Sequence, residues 1–323
     1  MYTNTSLKLD PDKLPTIANW CEEYKAQHAS RWAPNTMKCA DTELRRFALF
    51  CGMKDFTPKV VLEYQSEQHK RKCQPSTIYR AIEWPLRFIE WCEDMDYLPR
   101  HKFSKLLAKP QKPLKKVQVF THEQYEKLKE ISKGTLWHYA IIMAYRTGAR
   151  FSDCCLMKWG AVNFEGLYVN YVPFKSRKSG REALCPFDAG GDLHMVLLEL
   201  NESRHPHPMW KDYVCADLAM KYPTGGGDEG ADKAFRLKFT TMCRKIGAAK
   251  GLTFHTLRHS FISRLIQGGA SYPIGSQITG LCNPVVFSRY AKPDLLTLRK
   301  AIDNTNKNDH PPEEGMIVAM PAA

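Results

Sequence analysis

Apolar residues recur at helical spacing through the first hundred residues of the chain, beginning with a stripe over residues 14–24. Proline-bearing entry sequences interrupt this pattern and predict where three further helices begin: Ala33-Pro34-Asn35-Thr36, Thr57-Pro58 and Gln74-Pro75-Ser76-Thr77. No strand-like alternation of apolar and polar residues appears in this stretch. The pattern therefore predicts a small, all-helical domain over residues 1–103.

The pattern becomes mixed in the second part of the chain. Thr121-His122-Glu123-Gln124 has the spacing of a capping box, and the apolar run 136–145 predicts a buried helix. Residues 167–172 and 182–187 alternate as two antiparallel strands. Four later segments have helical spacing: 194–201, 233–248, 254–267 and 273–279. The predicted fold is mainly α with a small antiparallel β-sheet, the second domain being α+β over residues 119–304.

Three segments are predicted to lie outside these domains. Residues 104–118 form a basic stretch with prolines and no acidic residue, which predicts a linker along a DNA backbone or, alternatively, a solvated tether. Residues 222–232, with three consecutive glycines, predict a flexible loop. The polar, proline-bearing residues 305–323 predict a flexible tail.

Composition and charge narrow the class of protein. The 323 residues are 43% hydrophobic and 25% charged, which is typical of globular domains, and the net charge is +13. Such an excess fits a polyanionic partner, although it also occurs in proteins that bind no polyanion. No apolar run approaches the roughly 20 residues that span a bilayer, and no signal peptide is visible. These features predict a cytoplasmic, nucleoid-associated protein without a membrane partner.

The eleven cysteines do not predict a metal site. They are scattered along the chain, and none forms a Cys-x-x-Cys pair. Cys154 and Cys155 are adjacent, so they cannot comfortably bind one ion together. Reduced, mostly buried thiols are the better interpretation, and no cofactor is predicted.

Two arginines and a histidine have the chemistry to hold a phosphodiester. Arg150 lies in Thr147-Gly148-Ala149-Arg150-Phe151-Ser152-Asp153, and Arg258 lies in His255-Thr256-Leu257-Arg258-His259. Guanidinium groups offer planar pairs of donors to two phosphate oxygens and stay charged. Both arginines are expected to follow a turn into a helix, where backbone amides add donors. His255, one turn before Arg258, can accept a proton or donate to phosphate, whereas His259 is expected to brace its neighbours.

Three further residue types complete a metal-free route for cutting and rejoining DNA. Tyr290, in Phe287-Ser288-Arg289-Tyr290, is the candidate nucleophile, and a phenol of pKa near 10 needs cationic surroundings to react. Lys178, in the basic turn between the two predicted strands, can protonate the leaving 5′ oxygen, with Lys175 as the alternative. Asp153 is predicted to orient an arginine or the histidine, unless it is an ordinary helix-start carboxylate.

With these residues in order, the chain resembles the tyrosine recombinase (phage integrase) family. The matching pieces are 147–153, 255–261 and Arg289-Tyr290, and the 32 positions from Arg258 to Tyr290 agree with the family's spacing. The basic turn with Lys178 falls where the family has its catalytic lysine, and the helical N-terminal part is similar to the family's core-binding domain.

The resemblance implies a mechanism and partners. Two domains would form a C-shaped clamp around double-stranded DNA, and Tyr290 would form a 3′-phosphotyrosyl link without metal or ATP. Arg150, His255 and Arg258 would bind the phosphate, and Lys178 would protonate the leaving oxygen. Exchange through a Holliday junction would require a tetramer on DNA, and residues 295–302 would form a short amphipathic helix that docks on a neighbour or on its own domain.

One position departs from the family pattern. The family usually has histidine or tryptophan nine residues before the tyrosine, whereas this chain has Leu281, which cannot hydrogen-bond phosphate. Cys282 or Asn283 could substitute if the turn is shifted. The departure predicts slower cleavage or dependence on an accessory factor.

Several functions remain open at this point. The size of the chain suits a simple element integrase, an integron-type enzyme or a Xer-like resolvase. The departure at Leu281 favours a phage or mobile-element integrase over a housekeeping resolvase. A type IB topoisomerase would use similar residues without exchanging strands. A non-catalytic DNA-binding protein on the same fold is the alternative from another class.

Overall fold

The computed structural model describes residues 17–52, 56–107, 117–222 and 229–281, together with Pro284, Phe287 and Arg299. The chain divides into two compact units, residues 1–115 and 116–323. Among the described residues, no helix combines the length and the apolar character that crossing a bilayer requires.

The first unit is helical, as predicted. Its described elements are α1 (Ile17–His28), α2 (Pro34–Cys51), α3 (Pro58–Lys70), α4 (Pro75–Asp94) and a 3-10 turn (Ser104–Leu106). Helices α2, α3 and α4 each begin at the predicted proline, because a residue without an N–H loses nothing at the first helical position. Buried aromatic and aliphatic side chains, including Leu44, Phe47 and Phe88, form the core.

A buried carboxylate secures the C-terminal end of this unit. Glu93 Oε1 accepts hydrogen bonds from the backbone N–H groups of Phe103 (2.7 Å) and Ser104 (2.9 Å), and Oε2 accepts from Ser104 Oγ (2.6 Å). Burial alone would raise the pKa of Glu93, but these hydrogen bonds outweigh it and lower the pKa. The charged carboxylate therefore orders the chain where the predicted linker begins.

The second unit combines helices with one small sheet. Its elements are α5 (His122–Ser132), α6 (Trp137–Thr147), α7 (Phe151–Leu156), β1 (Val162–Asn163), β2 (Tyr168–Tyr171), β3 (Ala183–Pro186), α8 (Asp192–Glu202), α9 (Ala216–Lys221), α10 (Glu229–Lys245), α11 (Phe254–Gln267) and α12 (Tyr272–Thr279). The strands pair antiparallel in the order β1-β2-β3. This architecture confirms the predicted fold class.

Local chemistry and burial explain the two helices that precede the candidate site. Gln124 N–H donates to Thr121 Oγ1 and Thr121 N–H donates to Gln124 Oε1, both at 3.1 Å, so the predicted capping box is present. Helix α6 is buried along nearly its whole length and contacts α5, α7, α8 and α11. It forms the centre of the unit and directs the chain into the turn before Arg150.

Two local predictions need correction. The predicted loop 222–232 is wrong for its last four residues, because α10 begins at Glu229. The predicted hairpin turn instead contains a six-residue 3-10 turn, Phe174–Ser179, which ends at Gly180 with φ +63°.

Some predicted segments lie outside the described residues. They are 108–116 of the linker, the glycine-rich 223–228, the tail 305–323 and, apart from Arg299, the amphipathic helix 295–302. The predicted boundaries at 103, 118 and 304 stay predictions.

Candidate active site in the second unit

The turn between α6 and α7 places Arg150. Helix α6 ends at Thr147, Gly148 takes φ +69°, and Arg150 has the extended conformation that precedes the first turn of α7. This start of a helix confirms the predicted turn-to-helix position. The Arg150 side chain is about 20% exposed, and its Nη1 makes no hydrogen bond with the described residues. The guanidinium therefore keeps donor capacity at the edge of the site.

Asp153 joins the start of α7 to the basic turn after β2. Its Oδ2 accepts from the Arg150 backbone N–H at 3.2 Å and lies 3.8 Å from Arg150 Nη1. Its Oδ1 accepts from the Phe174 N–H at 2.7 Å, at the start of the 3-10 turn. The carboxylate is buried, so one charged side chain sets the positions of Arg150 and of the turn that carries Lys175 and Lys178.

Arg258 holds two turns of the backbone together. Its Nη1 donates to Gly148 O at 2.6 Å and its Nη2 donates to Thr279 O at 3.1 Å. The residue is only 2% exposed. It is the fifth residue of α11, so the expectation that it follows a turn into a helix is wrong, and helix-start amides do not lie beside it.

His255 lies in the first turn of α11, open to solvent on one side. The His259 ring stands edge-on to it at a centroid distance of 4.6 Å. Partial withdrawal from water, followed by the charges of His259, Arg258, Arg150 and Lys175, lowers the pKa of His255 to about 4. The side chains of Arg150, Arg258 and Lys175 therefore act on one imidazole, which is neutral at physiological pH.

The basic turn and the segment after α12 hold the remaining candidates. Lys178 belongs to the 3-10 turn, but its side chain lies outside the described atoms, and Tyr290 lies outside the described residues, as do Cys282 and Asn283. Leu281 packs against an apolar cluster that includes Ile262, Ile266 and Phe287. This leucine therefore serves apolar packing, as expected of a side chain that cannot bond phosphate.

Phe287 anchors the chain three residues before Tyr290. A Cβ placed on Gly275 of α12 would lie 2.4 Å from the Phe287 ring, so the ring packs directly on the glycine backbone. Phe287 is buried, and it meets Tyr272 edge-on at 5.6 Å. Phe287 is thus fixed against α12.

Comparison with known proteins identifies the family. Residues 118–294, which include Arg150, Lys178, His255, Arg258 and Tyr290, match the phage integrase family. The chain belongs to this family. The resemblance inferred from the ordered motifs is therefore confirmed, as is the prediction of a tyrosine recombinase at the level of the family.

Curated relatives of this phage integrase family member are tyrosine recombinases. It is 22% identical over 199 residues to the tyrosine recombinase XerA of Pyrococcus horikoshii, which covers 61% of this chain and 64% of that protein. It is 20% identical over 245 residues to the tyrosine recombinase XerC of Xanthomonas campestris pv. campestris. This match covers 75% of this chain and 71% of that protein. The chain thus matches slightly less than two thirds of the XerA relative's length.

Solved structures of integrases share the fold. The Tn1549 transposon integrase in complex with transposon right end DNA superposes with a TM-score of 0.68 at 14% identity, covering 90% of this chain and 100% of that one. A lambda integrase tetramer bound to a Holliday junction gives a TM-score of 0.63 at 16% identity, covering 88% and 78%. These likenesses concern the fold.

Sequence reasoning missed the residues that fasten the integrase-family site together. Ser276 Oγ donates to Leu281 O at 2.7 Å, and Arg181 Nη2 donates to Ser276 Oγ at 2.6 Å. Thr279 supplies a carbonyl to Arg258. Backbone carbonyls carry no signal in a sequence, whereas Gly148 could have been recognised as the end of the helix before Arg150.

We expect the imidazole of His255 to titrate well below the usual histidine range in DNA-free protein. Partial burial, together with the surrounding positive charge, disfavours its protonated form, so its NMR midpoint should lie near pH 4. Because the folded pKa is depressed, the unfolded chain binds the proton more readily between about pH 4 and 6.5, and stability should fall as the pH drops through that window. The resonance is assigned with His255→Gln; a midpoint at or above 6.5 contradicts the arrangement.

Replacing Gly148 by alanine should destabilise the protein by about 2–3 kcal/mol, since the new Cβ would lie 2.6 Å from the Phe261 ring at a left-handed φ. Gly134→Ala is the matched control, with the same φ of +69° but nothing within 4 Å, and should cost only about 1 kcal/mol. Urea denaturation measures both changes. Equal losses of the free energy of unfolding in the two variants would show that the close contact with Phe261 does not contribute to the effect.

Proposed function

We propose that this chain is a site-specific DNA recombinase that cleaves and rejoins DNA through a 3′-phosphotyrosyl intermediate, as a phage or mobile-element integrase. The observation that carries the proposal is that Arg150, Arg258 and Lys175 all act on His255, within a region that matches the phage integrase family and contains Tyr290. Fixed positive charge in a partly desolvated site stabilises a phosphate that gains negative charge as it is attacked.

The protonation state of His255 suits the first chemical step. A neutral imidazole can accept the phenolic proton of Tyr290 or donate a hydrogen bond to a phosphate oxygen. The Tyr290 oxygen forms a bond to phosphorus while the bond from phosphorus to the 5′ oxygen breaks. Arg150 and Arg258 balance the charge on the non-bridging oxygens.

The leaving 5′ oxygen needs a proton, because an alkoxide leaves poorly. Lys178 is the proposed donor, and its placement in the 3-10 turn fastened by Asp153 supports this role. Lys175 is the alternative, since its charge already acts on His255. The 5′-hydroxyl of a second duplex then attacks the phosphotyrosyl bond, returns the proton and restores the tyrosine.

The proposed partners are double-stranded DNA and further copies of the chain. The net charge of +13 favours a polyanion, and integrases with this fold have been solved with transposon end DNA and as a tetramer on a Holliday junction. We propose the same tetramer here. Accessory factors and association with the nucleoid belong to the same proposal.

Covalent trapping from a library of duplexes tests the proposal and selects the DNA site in the same experiment. The full-length protein is incubated with duplexes that each carry a nick, so that cleavage releases a short fragment and the adduct cannot be resealed. Adducts that survive denaturation are isolated, their DNA is sequenced, and the modified peptide is mapped by mass spectrometry. Phosphotyrosine at Tyr290 on a recurring sequence supports the recombinase; specific binding without an adduct favours the non-catalytic alternative.

A Xer-type resolvase is the second candidate function, because the curated relatives XerA and XerC are Xer recombinases. The two roles differ in their products. A resolvase converts a plasmid that carries two copies of the DNA site, in direct repeat, into two circles. An integrase instead joins two separate DNA molecules at different partner sites. Products from each substrate, compared at equal protein concentration, separate the two functions.

A further inference from the structure

We propose that Arg181 is an additional phosphate-binding residue that supplies the contact Leu281 cannot make. This inference rests on the proposed recombinase function. It assigns a guanidinium from the segment just before β3 to the place where the apolar Leu281 offers no side-chain hydrogen-bond donor.

Hydrogen bonds bring Arg181 to the turn that holds Leu281. Its Nη2 donates to Ser276 Oγ at 2.6 Å, and that hydroxyl donates in turn to Leu281 O at 2.7 Å. Ser276 is fully buried, so this relay has a fixed geometry. A chain of two short bonds therefore ties the base of the basic turn to the end of α12.

Arg258 contacts the same turn. Its Nη2 donates to Thr279 O, two residues before Leu281. Two guanidinium groups, one buried and one exposed, are consequently connected by hydrogen bonds to the segment 276–281. The end of α12 therefore lies close to positive charge although the side chain at position 281 is apolar.

Arg181 differs from Arg258 in the donors that it can offer to DNA. Arg258 is 2% exposed, and one N–H of each terminal nitrogen donates to a carbonyl, so fewer of its five N–H groups remain for the phosphate. Arg181 is exposed, and its bond to Ser276 uses one of the five N–H groups of a guanidinium. The others can bind a phosphate oxygen while the tether to Ser276 orients the planar group.

The position of Arg181 in the sequence fits this role. It follows Lys178, the proposed proton donor, by three residues and lies just after the turn that Asp153 fastens. The side chain of Leu281 meanwhile packs against Ile262 and Ile266. The polar function expected at position 281 would thus be provided by Arg181, from the segment between the 3-10 turn and β3.

The assignment is tested by measuring the single-turnover rate of cleavage, at saturating DNA, on a nicked duplex that carries the site found by covalent trapping. Arg181→Ala should slow cleavage about 10- to 100-fold, in the range seen when one preorganised donor is lost. Arg177→Ala is the matched control: it removes one exposed positive charge from the same turn, where Arg177 lies over the Phe174 ring at 4.3 Å, and should change the rate less than about threefold.

Two rescue experiments separate phosphate binding from a merely structural tether. Adding Leu281→His to Arg181→Ala should restore most of the rate, and free methylguanidinium should accelerate Arg181→Ala but not Arg177→Ala. A lower melting temperature in Arg181→Ala with no response to methylguanidinium would overturn the assignment, as would wild-type cleavage by that variant. If the wild-type protein forms no adduct, the recombinase proposal itself fails, which is a different result.

Discussion

Replacing Tyr290 by phenylalanine is expected to abolish the covalent protein–DNA adduct, lowering cleavage by at least about 10⁴-fold. The change removes one oxygen, which is the atom proposed to attack phosphorus, and no general base can compensate for a missing nucleophile. Arg150, Arg258 and His255 are untouched, so binding of the DNA site should change less than about twofold. Denaturing gels of the nicked duplex measure the adduct, and fluorescence anisotropy measures binding.

Tyr272→Phe is the matched control for this substitution. Tyr272 lies on α12, and its ring meets that of Phe287, three residues before Tyr290. Loss of its hydroxyl should leave adduct formation nearly unchanged, so an effect confined to Tyr290→Phe assigns the nucleophile. An adduct formed by Tyr290→Phe would instead mean that another side chain attacks DNA, and the proposed mechanism would be wrong.

Helix boundaries were predictable where local chemistry decides them. The prolines at the starts of α2, α3 and α4 and the capping box of α5 act within one turn, so their effect is visible in the sequence itself. The prediction of residues 254–267 matches α11 in full. Here a polar cap, an apolar stripe and a following glycine all favour the same bounds.

Short elements were harder to predict because distant contacts stabilise them. Helix α9 has six residues and strand β1 has two, lengths at which periodicity carries little signal. The 3-10 turn after β2 depends on Asp153, which lies 21 positions before Phe174. Only the folded chain brings that carboxylate to the turn.

In the candidate site, too, some features could be predicted from the local sequence and others depend on distant contacts. Residue types and spacing were enough to propose Arg150, His255 and Arg258, and the structure brings them together. Arg258 donates to two backbone carbonyls, and the relay from Arg181 ends on the backbone carbonyl of Leu281. Every residue has such a carbonyl, so the spacing of residues cannot show which carbonyl a side chain will bind.

We expect Arg258 both to bind the phosphate and to stabilise the fold. After Tyr290→Phe, its replacement should cause the largest loss, because it lowers both the cleavage rate and the free energy of unfolding. Arg258→Ala should slow cleavage by at least about 10³-fold and lower the free energy of unfolding by about 3 kcal/mol. The stability loss arises because Gly148 O and Thr279 O would remain buried without their donors. Single-turnover cleavage and urea denaturation measure the two effects separately.

Arg258→Lys distinguishes the two roles, because it keeps the charge but cannot reach both carbonyls with a planar fork. We expect it to recover part of the stability while cleavage stays at least about tenfold slow. Arg244→Ala, an exposed arginine on α10 of the same unit, is the control and should change the free energy of unfolding by less than about 0.5 kcal/mol. If Arg258→Ala unfolds like Arg244→Ala, the two carbonyl contacts do not stabilise the site; if it also cleaves like the wild type, Arg258 does not bind the scissile phosphate.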